Sequence, residues 1–209
     1  MLYKHDSSAL ADKGATFTVS EIKQQPSTWL KTFDIVENQK EEISDFLSQV
    51  FSHPQYKVIL TGAGTSEFVG NTLLDFLRPL THNHVESIAT THLVSHPELY
   101  FDKDVPTLLV SFARSGNSPE SLGAVDAAEK LCDTLYHMTV TCNADGKLAK
   151  IESNHSKILS LLLPEETNDK SLAMTSSFSN MVLATYLAFS VNSLADQKPL
   201  VEELAKQGN

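Results

Sequence analysis

From about residue 53 onward, short apolar runs alternate with stretches in which apolar residues recur every three or four positions. Lys57-Val58-Ile59-Leu60 and Thr107-Leu108-Leu109-Val110-Ser111-Phe112 are too short for buried helices and read as strands. The pattern predicts strands near 57–61, 84–88, 106–112, 134–141 and 156–162. Helices are expected near 66–78, 118–131, 145–152 and 176–194. Strands separated by helical stretches form βαβ units, and right-handed crossovers then place helices on both faces of a parallel sheet. The segment 89–105 breaks either period and is expected to be irregular.

The first 52 residues differ in texture. Residues 1–20 are polar and mixed, and read as an arm. From Glu21 to about Ser52 the pattern is helical. Trp29, Phe33, Val36, Ile43, Phe46, Leu47 and Val50 supply one apolar face. Pro26 suits a first helical turn, with Ser27 or Thr28 as a cap. Ser193 to Asn209 carries helical signals without a further strand. The expected division is an arm and helix over 1–52, a main domain over 53–195, and a terminal helix or linker over 196–209.

Two strand-to-helix loops stand out chemically. The first is Thr61-Gly62-Ala63-Gly64-Thr65-Ser66; the second is Ala113-Arg114-Ser115-Gly116-Asn117-Ser118-Pro119-Glu120. Both combine hydroxyls with glycines that let a backbone approach a ligand closely. Ser66 and Ser118 stand where helix N-caps are expected. First-turn amides and the helix dipole favour an anion there. Two such loops at the carboxyl edge of one parallel sheet would surround a small anion, most plausibly a phosphate. A dinucleotide fold is the nearest competitor. Gly62-Ala63-Gly64 opens a G-x-G, and Glu86 lies where a ribose-binding acid would sit. However, Glu67 occupies the place of the third glycine, and the second serine loop is left unexplained. No nucleoside-triphosphate loop motif is present.

Composition narrows the partners. The chain has 209 residues and a net charge of −10, which argues against general nucleic-acid binding and docking on anionic membranes. No apolar run is long enough to span a bilayer, and the first residues lack a signal-peptide core. Cys132 and Cys142 have no metal-type spacing and read as buried thiols of a cytoplasmic protein.

Four stretches together resemble the sugar isomerase (SIS) domain family, and most closely its tagatose-6-phosphate ketose/aldose isomerase and galactosamine-6-phosphate deaminase/isomerase group. They are Glu21-Ile22-Lys23-Gln24-Gln25-Pro26 with Trp29, Gly62 to Ser66, Ser111 to Glu120, and Ala173-Met174-Thr175-Ser176-Ser177-Phe178. The resemblance implies a three-layer αβα sandwich around a five-stranded parallel sheet, preceded by a helical segment. By position it implies phosphate contacts from Thr65, Ser66, Ser115, Gly116, Asn117 and Ser118. Sugar contacts would come from Arg114, Thr175, Ser176 and Ser177. Ala113 replaces a serine of the synthase-type loop, and Arg114 replaces a glutamine. Members of the group usually carry two such domains in about twice this length. The implied partners are therefore a hexose 6-phosphate such as tagatose or galactosamine 6-phosphate, and a second SIS domain or another subunit. No nucleic acid, membrane, metal or cofactor is expected.

Aldose–ketose interconversion needs a base at the carbon acid, an acid at the ring oxygen, and donors for the enediolate oxygen. Glu67 is the candidate base, with a first-turn acid complementing its helix dipole as the plainer reading. His92 is the candidate ring-opening acid, among His82, His84 and His96 in the same region. Asp169 and Lys170 are weaker candidates. A non-catalytic phosphosugar-binding regulatory module is the alternative to an enzyme.

Overall fold

A computed structural model describes residues 6–153 and 156–208. The strands are β1 (Lys57–Thr61), β2 (Val85–Ser87), β3 (Thr107–Ala113), β4 (Leu135–Thr141) and β5 (Lys157–Leu162). They form one sheet in the order β2-β1-β3-β4-β5, and every neighbouring pair is parallel. The helices are α1 (Ser7–Asp12), α2 (Thr16–Asn38), α3 (Lys40–Phe51), α4 (Thr65–Leu77), α5 (Thr90–Ser95), α6 (Pro119–Leu131), α7 (Ser176–Phe189) and α8 (Leu194–Gly208). This is the α/β sandwich with five parallel strands that the alternation and the resemblance led us to expect. Among the described residues, no helix is long and apolar enough to cross a membrane.

The period-2 pleat sorts the central strands into two cores. Val58, Leu60, Leu108, Val110, Phe112, Met138 and Val140 face one side, where α2, α3, α4, α7 and α8 cover them. Ile59, Leu109, Ala113 and Leu135 face the other, under α5 and α6. Burial on both faces explains why β1 and β3 read as nearly continuous apolar runs rather than alternating ones.

Several boundaries differ from the sequence reading. The helical pattern begins earlier than Glu21: α1 and the first turn of α2 occupy much of the expected arm, whose residues 1–5 lie outside the described residues. Pro26 sits inside α2, not in its first turn. It removes the amide that would bond Ile22 O, and Gln25 Nε2 donates to that carbonyl at 3.2 Å instead. The helical signal at 145–152 condenses to one 3-10 turn, Leu148–Lys150. Gly146 and the hydrogen bonds of this connection to the second serine loop explain why it does not coil. The segment 89–105 is more regular than expected, with α5 and a 3-10 turn at Pro97–Leu99.

Both cysteines are buried thiols without a disulfide, and burial pushes the Cys142 thiol up to about 12. On β4 the inward face toward α6 is polar: His137, Thr139 and Thr141 are fully buried there. His137 Nε2 lies 3.0 Å from Ser111 Oγ, while Nδ1 has no partner among the described residues. Burial lowers its pKa from 6.5 to about 4, so the neutral ring is the native form. Its contribution to stability is complete above pH 6.5 and is lost as pH falls toward 4. The span corresponds to about 3 kcal/mol, so the stability difference between wild type and His137→Gln should change by that amount between pH 7 and pH 4. Parallel urea unfolding curves at the two pH values test this. A difference independent of pH would contradict it.

Candidate functional site

In the strand order β2-β1-β3-β4-β5, the chain leaves β1 toward one edge for β2 and returns to β3 on the other side. The carboxyl ends of β1 and β3 therefore flank a crevice, the usual ligand position in open parallel sheets. The register pairs Thr61, the last residue of β1, with Ser111, two residues before the end of β3. The two serine loops start there and meet across a cleft of about 170 Å³, lined by Ala63, Ser66, Phe112 to Gly116, Ser118, Glu120, Ser121 and Met174.

Each loop is braced from behind. Gly62 O accepts from Thr90 N at 3.0 Å and Thr90 Oγ1 at 3.2 Å, tying the first loop to the start of α5. Gly116 has φ of +68°, which reverses the second loop at its tightest point. The connection after β4 supports that reversal: Leu148 N donates to Gly116 O at 3.0 Å, Asn143 Nδ2 to Ser115 O at 2.9 Å, and Lys147 N to Asn117 Oδ1 at 3.1 Å. A side chain at Gly146 would collide with the Ser115 carbonyl and lie 3.1 Å from Gly116 Cα.

Helices α4 and α6 begin at this cleft, and neither has a side-chain N-cap. The N-cap of α4 is Gly64, so Ser66 is the second helical residue rather than the cap expected from the sequence. Ser118 is the N-cap of α6 with Pro119 following, but its hydroxyl donates to Ser121 Oγ at 2.6 Å rather than to a helix amide. Ser66 Oγ donates toward Met174 Sδ at 3.8 Å. Two helix N-termini without side-chain caps, several hydroxyls and the Arg114 guanidinium thus converge on one cleft. Such an arrangement stabilises a small multivalent anion through amides, dipoles and charge together.

The sequence candidates separate in space. Ser66, Arg114, Ser115, Gly116 and Ser118 line the cleft. Thr65 is an exposed first-turn residue beside it, and the Asn117 side chain is turned to Lys147. Ser176 and Ser177 are fully buried, and both hydroxyls donate to Asp169. Thr175 Oγ1 is buried without a hydrogen-bond partner among the described residues. Glu67 and the exposed His92 do not line the cleft; Glu120 is its carboxylate. Ser121 and Met174 also line the cleft, beyond the candidates the sequence offers. The spacing Ser118-x-x-Ser121 would have revealed the first, because residues three apart share a helix face.

Two other cavities do not compete for an anion. A larger one of about 350 Å³ is lined by Trp29, Phe76, Phe178, Val182, Leu183 and Tyr186 with few polar neighbours. Glu86, the candidate ribose acid, lines a separate cleft with Lys57 and Asp102 near the amino ends of the strands. It therefore does not work with Gly62-Ala63-Gly64. Among the described residues, no group of three or more His, Cys, Asp or Glu is placed to hold a metal ion.

Comparison with known proteins gives a consistent result. The chain is 47% identical over 189 residues to the D-galactosamine-6-phosphate deaminase AgaS of Shewanella sp. (strain ANA-3), covering 89% of this chain and 49% of that protein. Among solved structures, a Clostridium novyi NT protein bearing the name tagatose-6-phosphate ketose/aldose isomerase superposes with a TM-score of 0.95 at 42% identity. That match covers 99% of this chain and 53% of the other. The Escherichia coli tagatose-6-phosphate ketose/aldose isomerase gives a TM-score of 0.85 at 34% identity, over 93% of this chain and 52% of its own. No family model matches. The chain spans about half the length of the curated relatives it matches. Over that half, the chain is similar in sequence and fold to the tagatose-6-phosphate ketose/aldose isomerase and galactosamine-6-phosphate deaminase group of the sugar isomerase (SIS) family.

Proposed function

We propose that the β1/β3 cleft binds the phosphate of a hexose 6-phosphate, and that the chain serves an aldose–ketose isomerase or amino-sugar-phosphate deaminase. The observation that carries this is the meeting of two helix N-termini without side-chain caps, with Ser66, Ser115, Ser118 and Arg114 around the same cleft. Size favours a phosphate end over a whole dinucleotide. The cleft holds about 170 Å³, less than the ~300–1,000 Å³ typical of sites that enclose a drug-sized ligand. The names of the relatives point to the same substrate class.

Binding the remote phosphate orients the sugar and supplies binding energy to the reacting carbons. The proton transfers need groups at C1, C2 and the ring oxygen. Glu67 and His92 remain the chain's candidates, with the sugar projecting out of the cleft past the first turn of α4. The position of both outside the cleft keeps a second reading open, in which this half binds phosphosugar and the acid and base come from the rest of the protein or from another subunit.

Calorimetric titration with galactosamine 6-phosphate tests the site. The double variant Ser66→Ala, Ser115→Ala should weaken binding by about 100-fold, since each lost hydrogen bond to a charged group contributes about 1.5–3 kcal/mol. NAD should show no binding heat. Undiminished affinity in the double variant would sink the assignment. Turnover by the full-length protein that survives Glu67→Gln would remove Glu67 as the essential base.

A further inference from the structure

The stretch Glu21 to Pro26 carries part of the family resemblance, yet none of its residues lines the phosphate cleft. Glu21 nevertheless lies in α2 with only 5% of its surface exposed. Its carboxylate accepts from Lys170 N at 2.6 Å, from Ser171 N at 3.1 Å, and from Ser171 Oγ. A buried carboxylate is costly unless donors surround it, and these donors all come from one loop about 150 residues away in sequence. The same loop segment faces the cleft from its other side: Ser171 O accepts from Arg114 Nη1 at 2.8 Å. Arg114 is the one basic side chain lining the cleft among the described residues.

We propose that Glu21 is a positioning residue for Arg114: it fixes the backbone at Lys170 and Ser171, and the Ser171 carbonyl in turn holds the guanidinium at the rim of the phosphate site. The need for a clamp follows from the loop itself. Residues 168–174 contain no helix or strand, and Leu172 at its tip is 97% exposed. Asp169 ties one end of this loop to α7 and Met174 packs on the core at the other, while the Lys170 and Ser171 amides between them bond to Glu21. An apolar residue at position 21 would fill α2 equally well, but would release the Ser171 carbonyl that accepts from Arg114. A guanidinium is planar and binds phosphate through a fixed fork, so its orientation matters as much as its charge.

This assignment rests on the phosphate site proposed for the β1/β3 cleft, and its test separates the two. In calorimetry with galactosamine 6-phosphate on the full-length protein, Glu21→Ala should raise Kd about tenfold, the loss of one charge-assisted hydrogen bond. Glu21→Gln keeps an oxygen for the two amides and should recover most of that loss. Ser171→Ala, which leaves the carboxylate and both amides in place, is the mild variant and should raise Kd about threefold. In an Arg114→Ala background, none of these changes should weaken binding further. Losses that multiply equally in both backgrounds would overturn the proposal, since Glu21 would then act independently of Arg114. A ligand-free readout decides the case even if wild type binds no phosphosugar, the result that would overturn the site itself. The Arg114 Nε–H resonance should show a held side chain in wild type and Glu21→Gln, and a mobile one in Glu21→Ala, or in Ser171→Ala to a lesser degree. An equally held Arg114 in the folded variants would refute the positioning role.

Discussion

Gly62→Ala should destroy phosphosugar binding and cost about 3 kcal/mol of stability, the upper range for forcing atoms into a packed site. A Cβ at position 62 would lie 2.5 Å from Ser66 C, 2.6 Å from Ser66 O and 2.8 Å from Glu67 N. All three atoms are backbone in the first turn of α4, so no rotamer change relieves the collision. The loop cannot retreat either, because Thr90 holds the Gly62 carbonyl from the other side with two hydrogen bonds. The helix start must move, and Ser66 moves with it. Affinity for galactosamine 6-phosphate should fall at least ~100-fold, as when two charge-assisted contacts are lost together. Gly64→Ala is the informative contrast. Gly64 has φ of +57°, and a Cβ there would meet nothing within 4 Å. Only the backbone conformation is penalised: φ of +57° with ψ of −126° lies outside the left-handed helical region and costs an L residue about 1–3 kcal/mol. Urea unfolding and calorimetry on both variants give the comparison. Near-normal stability and affinity in Gly62→Ala would mean that the loop does not require this close approach.

Asp169→Ala should be the most destabilising change near the third hydroxyl-rich stretch. Asp169 is 5% exposed, and its carboxylate accepts from Thr175 N at 2.9 Å, Ser177 N at 2.8 Å, Ser177 Oγ at 2.6 Å, and Ser176 Oγ. It serves as the N-terminal acceptor for α7, a helix packed against α2 and α4 in the larger core. Removing it strands two amides and two hydroxyls in a buried site. Each unsatisfied group costs about 1–3 kcal/mol, partly relieved by water entering the gap, so a total of about 3–5 kcal/mol is expected. Asp169→Asn keeps one acceptor oxygen and should lose about half as much. A loss under about 1 kcal/mol in Asp169→Ala would show that α7 finds other partners for its first turn. The same geometry bears on Ser176 and Ser177. Their proposed sugar contact requires α7 to release them from Asp169, so a variant at Asp169 should change binding as well as stability.

The fold was largely legible in the order of residues along the chain. Strand positions followed from short apolar runs, and helices from three-to-four-residue spacing, because burial on one or both faces imposes those periods on any chain that folds this way. The failures are local and have local causes. The apparent helix at 145–152 is held as a turn by Gly146 and by its bonds to the second serine loop, a partner distant from it in sequence. Propensity places Pro26 in a first turn, whereas Gln25 supplies the missing donor and the helix continues through it.

The site divides along the same line. The amino-acid sequence by itself determined that two glycine- and hydroxyl-rich loops follow strands, that α6 starts with Ser118-Pro119, and that an arginine sits in the second loop. These are properties of adjacent residues, and local spacing records them. Only the tertiary structure decided that the loops meet, because their meeting depends on β1 and β3 being neighbours in a sheet whose order is not written in any one segment. It also decided which hydroxyls face the cleft. Ser115 and Ser177 are the same residue type in similarly polar stretches; one lines the cleft and the other donates to a buried carboxylate. Glu21 shows the point most plainly: its two partners, Lys170 and Ser171, and the arginine they steady lie far along the chain, and only folding brings them within hydrogen-bond reach.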